Sequence, residues 1–165
     1  MQIKDKIAPC LWFDTQAEEA ANFYLSIFPD SKIVKIARYG KAGVEHHQKP
    51  VGAVMTVQFE LAGQTFTALN GGPNFKFSEA VSLQVYVEDQ KELDHYWNKL
   101  SAGGDPSAQV CGWLKDKYGL SWQVAPAFMV DWFGEPNENS ERAMAAMMSM
   151  KKLDIAALKK AYDGG

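Results

Sequence analysis

Residues 9–24 read PCLWFDTQAEEAANFY, and this stretch contains the pattern that the rest of the chain repeats. The run from Ile7 to Phe13 is nearly all apolar, which is typical of a short strand buried on both faces. Thr15, with Glu18 three residues later, has the spacing of a capping box at the start of a helix. Apolar residues then recur at helical spacing, so we predict an amphipathic helix from Ala17 to Phe28.

The same pattern returns in the second half of the chain. A shift of 74 residues aligns Phe13 with Val87, Thr15 with Asp89, Gln16 with Gln90, Glu18 with Glu92 and Phe23 with Trp97. Each match is weak alone. The order strand, helix, strand, strand, strand nevertheless fits both halves, and it indicates an internal duplication.

The remaining elements complete two βαβββ modules and a tail. In the first module we predict a strand over 31–39, a polar loop over 40–50 and a hairpin of strands 54–61 and 64–70 around Ala62-Gly63. In the second we predict a strand over 80–87, a helix ended by Gly103-Gly104, and strands around Ala108, over 112–117 and over 121–126. We predict two helices over 139–162. The first has Met144, Met147 and Met148 on one apolar stripe, and such a stripe more often covers a core or a dimer partner than a cofactor. We therefore expect an α+β fold in one domain, 1–165, with modules at about 5–73 and 78–128 and a helical tail at about 139–162.

Composition limits the classes of function. The 165 residues are 47% hydrophobic and carry a net charge of −3, without the basic patch of a nucleic-acid-binding protein. The N-terminal residues do not resemble a signal peptide, and no apolar run reaches membrane-spanning length. Cys10 and Cys111 lie in apolar segments and are expected to be reduced, buried thiols. We expect a cytoplasmic protein that binds neither nucleic acid nor membrane.

Three stretches carry a resemblance to a known family: residues 9–24, FTALNGGP at 66–73 and CGWLKDKYGLSWQVAP at 111–126. With the duplicated βαβββ unit, they make the chain similar to the PhnB-like branch of the vicinal-oxygen-chelate superfamily. That superfamily includes glyoxalase I, bleomycin-resistance proteins and extradiol dioxygenases. The branch often carries the label 3-demethylubiquinone-9 3-methyltransferase. The resemblance implies two modules that form a cup for a small ligand, and a homodimer.

In metal-using relatives, four inward residues from the first and last strands of the modules bind a divalent ion. The corresponding positions here are Pro9, Thr67, Ser82 and Gln123. Proline offers no donor atom, and neutral Ser and Gln are weak ligands for such an ion. A shift of one residue at any of these positions supplies no His or carboxylate. We therefore expect no metal and no other cofactor, which puts glyoxalase- and dioxygenase-type chemistry in doubt.

A polar face on two strands of the second module gives the best ligand-binding candidates. Ser82, Gln84, Tyr86, Ser121 and Gln123 alternate with apolar residues, so their face lines either a cavity or a water-facing surface. As pocket residues they offer hydrogen bonds without charge, which favours binding over acid–base catalysis. The full set of expected cup residues is Pro9, Leu11, Phe13, Thr67, Asn70, Ser82, Gln84, Tyr86, Trp113, Ser121 and Gln123.

Other candidates have simpler alternatives. His46 and His47 form either an acid–base or metal-binding pair over the cup, or part of a solvated loop, and His95 is expected at the surface. Trp12, Trp113 and Trp122 are able to stack on a planar ligand, but we expect core packing for at least two of them. The glycines of Asn70-Gly71-Gly72 lack the spacing of a methyltransferase cofactor loop. They either approach a ligand by their backbone or form a simple turn, and we expect the turn.

We therefore expect a metal-free protein that binds a small, partly aromatic molecule, with catalytic residues unknown. The main rival is an enzyme: a methyltransferase as the label says, or a metal-dependent lyase or isomerase. A third interpretation is a scaffold whose cavity is filled by its own side chains.

Overall fold

A computed structural model describes residues 5–165 and shows a mixed α+β chain. The chain divides into two compact units, unit 1 from Met1–Lys76 and unit 2 from Phe77–Gly165. Each unit contains one small sheet. Among the described residues, no helix has the length and apolar character needed to cross a membrane.

Unit 1 is a four-stranded sheet covered on one face by a helix. Its elements are β1 (Cys10–Phe13), α1 (Ala17–Leu25), β2 (Lys32–Arg38), α2 (Val44–His47), β3 (Val54–Leu61) and β4 (Gln64–Asn70). The strand order is β1-β4-β3-β2, with β1 parallel to β4 and the other pairs antiparallel. The predicted hairpin of β3 and β4 is confirmed at its stated bounds. The predicted loop over 40–50 instead contains the one-turn helix α2.

The core of unit 1 lies between α1 and one face of the sheet. Tyr24 of α1 is fully buried and stacks on Phe59 of β3, with ring centroids 6.4 Å apart. Phe59 in turn stacks on Phe66 of β4 at 5.5 Å. Leu11 and Phe13 of β1 are buried at 6% and 4% exposure and belong to the same packed layer. The short alternating segments of β3 and β4 thus provide the apolar face on which α1 rests.

The start of α1 differs from the expected capping box. Gln16 is the cap residue, and no side-chain cap bond comes from Thr15 or Glu18. The Oδ1 atom of Asn70, at the end of β4, instead accepts a 2.8 Å hydrogen bond from the Ala17 amide. The cap prediction was wrong because a residue 53 positions away satisfies this helix end.

Unit 2 repeats the strand–helix start of unit 1. It contains β5 (Ser82–Val87), α3 (Gln90–Ser101), β6 (Trp113–Lys115) and β7 (Ser121–Pro126), in the sheet order β5-β7-β6. Here the cap prediction holds, since Asp89 accepts a 2.8 Å bond from the Glu92 amide. Leu93, Tyr96, Trp97 and Leu100 on α3 are buried against the sheet.

The strand predicted around Ala108 is a 3₁₀ helix, Pro106–Ala108. Asp105 caps it by accepting bonds from the amide and hydroxyl of Ser107. Pro106 is its first residue, a position where the missing amide hydrogen of proline costs no helical hydrogen bond. Cys111 and Gly112 then both have positive φ, +50° and +83°, as a two-residue hairpin turn between Val110 and Trp113 requires. The described part of unit 2 therefore has three strands rather than four.

The tail forms three helices: α4 (Met129–Trp132), α5 (Glu138–Met148) and α6 (Ile155–Asp163). The two longer helices were predicted, and α4 was not. The Cys111 and Gly112 amides donate to the Met150 and Lys151 carbonyls, and the Gln90 side chain bonds the main chain of Leu153 and Ile155. These bonds attach the tail to the turn before β6 and to the start of α3.

Candidate ligand cavity

The sheet of unit 2 has one apolar face and one polar face. Val85, Trp122 and Val124 are buried on the side of α3. On the opposite side, strand pairing places Ser82 beside Ser121, Gln84 beside Gln123 and Tyr86 beside Ala125. The five polar residues singled out in the sequence therefore share one face.

Four of these side chains form a continuous hydrogen-bonded row. The Tyr86 hydroxyl donates to Gln84 Oε1 at 3.0 Å, and Gln84 Nε2 donates to Gln123 Oε1 at 3.5 Å. Gln123 Nε2 then donates to the Ser82 hydroxyl at 2.8 Å. Each amide orients the next, so the row is a defined surface rather than a set of independent polar groups.

This polar face borders a cavity of about 790 Å³ within unit 2. Gln84, Tyr86, Ser121 and Gln123 line one side, together with Trp113 of β6. The helical tail lines another side, chiefly through Met129, Val130, Phe133, Met147 and Met148. The space therefore combines neutral hydrogen-bonding groups with a largely apolar wall, the composition usual for small-molecule sites.

Sequence reasoning missed the tail's contribution to this cavity. The methionine stripe of α5 was expected to cover a core or a dimer partner, yet Met147 and Met148 line the cavity. Met129 and Phe133, in and just after the unpredicted α4, also line it. No periodic signal in the sequence identifies which residues of a tail contact a distant strand.

A charged pair lies at one end of the cavity. Lys115 Nζ is 2.5 Å from Glu79 Oε1, and the hydrogen bond from Lys115 holds the pKa of the Glu79 carboxyl below its ordinary value. Both residues line the cavity, and neither was singled out from the sequence. Lys115 pairs across the strands with Ser121, whose side chain is buried to 1% exposure.

The turn between β6 and β7 fixes the position of this charged end. Asp116 is 2% exposed, and its Oδ1 accepts bonds from the Tyr118 and Leu120 amides at 2.9 and 3.1 Å. Its Oδ2 accepts a 2.9 Å bond from Trp122 Nε1. One buried carboxylate thus sets the geometry of the residues on both sides of the turn, Lys115 and Ser121. This bond also accounts for Trp122, which is a core residue rather than a ligand-stacking one.

In unit 1, the structure corrects the positions of several expected cup residues. Leu11, Phe13 and Asn70 lie in the packed layer beneath α1, not on the open face of the sheet. The open-face pair of β1 and β4 is Cys10 and Thr67. Pro9 precedes β1, and its carbonyl accepts a bond from the Thr67 amide. The error arose because the apolar run of β1 has no alternation that distinguishes its two faces.

The cysteines also differ from expectation. Both are free thiols, as expected, but Cys10 is exposed and Cys111 is half-buried. Partial burial raises the pKa of the Cys10 thiol above its ordinary value. Cys111 Sγ lies 3.7 Å from Met148 Sδ at the edge of the cavity.

The open-face residues do not fit a divalent metal. The positions expected to correspond to the family's metal ligands are Pro9, Thr67, Ser82 and Gln123. Pro9 accepts a bond from the Thr67 amide through its carbonyl, and the Ser82 hydroxyl accepts a bond from Gln123 Nε2. Within residues 5–165, no three His, Cys, Asp or Glu side chains are placed together as a metal site would require. Neutral amides and hydroxyls supply no charge to balance a divalent cation.

The Gly71-Gly72 segment likewise does not fit a nucleotide-binding loop. A Cβ at Gly71 would come within 2.1 Å of the Trp12 ring, so the glycine is required for internal packing. The Gly72 carbonyl accepts a 2.8 Å bond from Trp12 Nε1, and Trp12 meets Phe75 edge-on at 4.8 Å. The Trp12 side chain therefore occupies the space beside these glycines.

The adjacent histidines form the end of α2. The His47 ring packs against Tyr39 at 4.4 Å and its Nδ1 accepts a bond from the Lys49 amide, while its Nε2 lies 3.3 Å from the Ala42 carbonyl. His46 is exposed and lies 3.5 Å from Glu45. His95 is exposed, as predicted. The contacts of His47 are those of a loop-stabilising residue.

Comparisons with known proteins now identify the family. A family model described as 3-demethylubiquinone-9 3-methyltransferase matches residues 5–125. This chain belongs to that family. The PhnB protein from Bacillus cereus is 39% identical, with a TM-score of 0.63, over 74% of this chain and 100% of that one. The PhnB-like resemblance is confirmed.

Two further solved structures are similar. A protein from Staphylococcus aureus is 33% identical over 76% of this chain and 98% of that one, with a TM-score of 0.34. Protein PA1353 from Pseudomonas aeruginosa has a TM-score of 0.57 and covers 74% of this chain and 98% of its own, but at 18% identity it supports the fold alone. A comparison with curated proteins gave no significant match.

Proposed function

We propose that this PhnB-like chain is a small-molecule-binding protein whose ligand occupies the cavity of unit 2. The observation that carries the proposal is that the hydrogen-bonded row Tyr86–Gln84–Gln123–Ser82 and a largely apolar wall border the same cavity. At about 790 Å³ the cavity falls within the range of ligand sites, roughly 300–1,000 Å³. This volume argues against the scaffold interpretation, in which side chains fill the space.

Binding is favoured over catalysis by the chemistry of the lining. Amide and hydroxyl groups orient a ligand, but general acid–base catalysis needs a positioned group that titrates near neutral pH. Since the open-face residues do not fit a metal and Gly71-Gly72 does not fit a nucleotide, the proposal includes no cofactor. The methyltransferase description of the family therefore has no support from a cofactor site in the described residues.

The proposal is tested by filling the cavity. Ala125 lines it beside Tyr86 and is half-buried, so Ala125→Phe places a ring in the ligand's space. Native mass spectrometry of the untagged protein is expected to show a co-purifying small molecule that the variant lacks. Ala37→Phe, at a half-buried strand position of unit 1, is the matched control and is expected to retain the molecule. Equal ligand content in wild type and Ala125→Phe would refute the site.

We also propose a cytoplasmic homodimer. The chain exposes large apolar side chains that do not line this cavity, among them Val51 at 60%, Phe75 at 65% and Val81 at 69%, and a partner subunit would cover such residues. Sedimentation equilibrium at micromolar concentration is expected to give twice the chain mass of 18.3 kDa. A monomer at that concentration would overturn the dimer, and recovery outside the cytoplasmic fraction of cells would overturn the location.

A further inference from the structure

The charged end of the cavity offers two hydrogen-bond donors side by side. Lys115 of β6 and Ser121 of β7 are cross-strand partners, so their side chains project from the same face. The Lys115 side chain is 24% exposed, and Lys115 lines the cavity. Lysine carries donors and no acceptor, so this end of the cavity suits a ligand group that accepts.

Ser121 lacks the partner that its burial demands. The residue is 1% exposed, and its hydroxyl makes no hydrogen bond within the described chain. Leaving a buried hydroxyl unpaired is unfavourable, and such groups are normally satisfied by protein, water or ligand. The residue also lines the cavity, so an acceptor that enters beside Lys115 would satisfy it.

Glu79 shows which chemical group binds beside Lys115. Its carboxylate lies 2.5 Å from Lys115 Nζ, yet its side chain is 66% exposed and it belongs to no helix or strand. An exposed ion pair on an irregular segment is weak and easily exchanged. Hydrogen bonds from Ser107, and after them the charge of Lys115, lower the pKa of Asp105, and Asp105 does not line the cavity.

From these contacts we infer that the ligand carries a carboxylate, which replaces Glu79 on Lys115 and accepts a bond from Ser121. Its apolar body lies against Trp113, Met129 and Phe133. Glu79 is thus an internal competitor that turns out to solvent when the ligand enters. The inference rests on the proposed binding function and specifies the class of ligand.

Two matched probes test this inference by isothermal titration calorimetry: 2-naphthoate, and its neutral analogue 2-naphthamide. Wild type is expected to bind 2-naphthoate about tenfold more tightly than 2-naphthamide, because one charge-assisted hydrogen bond changes the affinity by about that factor. Lys115→Met is expected to remove that preference, and 2-naphthamide affinity is expected to stay within about twofold. Lys117→Met, an exposed lysine two residues away, is the control and is expected to keep the preference.

Glu79→Gln gives a readout that misfolding cannot produce. Removing the competing carboxylate is expected to raise 2-naphthoate affinity about two- to fivefold, because breaking an exposed ion pair costs a free energy of that size. Ser121→Ala is expected to weaken both probes, because each offers an oxygen to the hydroxyl. If both probes bind equally and Lys115→Met changes neither, the carboxylate inference fails while the binding function stands. If neither probe binds wild type, both fail.

Discussion

Replacing Asn70 with alanine separates a structural residue from a ligand-binding one. Asn70 was an expected cup residue, but its side chain is 7% exposed and joins two elements of unit 1. Its Oδ1 accepts from the Ala17 amide at 2.8 Å, and its Nδ2 donates to the Val54 carbonyl at 3.1 Å. We therefore expect Asn70→Ala to lower stability and leave binding in the unit 2 cavity unchanged.

The magnitude follows from these two bonds. Loss of a side-chain cap at a helix start costs about 1 kcal/mol. The unpaired Val54 carbonyl adds about 1 kcal/mol, and slightly more if water does not reach it. The free energy of unfolding is expected to fall by about 2–3 kcal/mol, which lowers Tm by roughly 5–10 °C for a chain of this length.

Urea denaturation followed by far-UV circular dichroism measures this loss. Asn22→Ala is the control, because Asn22 is exposed on α1 and its side chain bonds only the Glu18 carbonyl among the contacts described. We expect that control to change stability by less than about 0.5 kcal/mol. A loss in Asn70→Ala no larger than in the control would refute the capping role, and a selective loss of ligand affinity would restore Asn70 as a binding residue.

Three further outcomes are expected. Gly71→Ala forces a methyl group into the Trp12 ring and is expected to cost about 1–3 kcal/mol in thermal unfolding; an unchanged Tm would show that Trp12 moves freely. The hydrogen bond from Lys115 lowers the pKa of Glu79, so the ion pair is present above the ordinary glutamate pKa and is lost as pH falls through the lowered value. Carboxyl NMR titration is expected to show this pKa rising toward normal in Lys115→Met, and no rise would contradict the pairing. Exhaustive chelation is expected to leave Tm and 2-naphthoate binding unchanged, whereas a loss restored by one divalent metal would disprove the absence of a metal site.

Local patterns predicted the regular elements well. The β3–β4 hairpin follows from alternating residues around Ala62-Gly63, and both residues of that turn adopt positive φ, +45° and +84°. The polar face of unit 2 was predictable because Ser82, Gln84 and Tyr86 alternate with apolar neighbours. In both cases the information lies within a few residues of chain.

Other features depend on contacts between distant residues. The run CLWF at Cys10–Phe13 is apolar throughout, so the sequence did not distinguish its core face from its open face. The cap of α1 comes from Asn70, far along the chain, and the tail reaches the cavity through bonds at Cys111 and Gly112. Such pairings depend on tertiary packing, which no local period encodes.

The row of side chains from Tyr86 to Ser82 has a consequence for ligand selectivity. A line of amides between two hydroxyls is able to reverse its polarity: when both glutamine amides rotate by half a turn, every donor becomes an acceptor and the row stays bonded. This wall therefore adapts to ligands that donate and to ligands that accept, and it discriminates little between them. Discrimination then falls to the charged end at Lys115 and to the shape of the methionine-rich wall, and a protein built in this way would tolerate a series of related molecules rather than a single one.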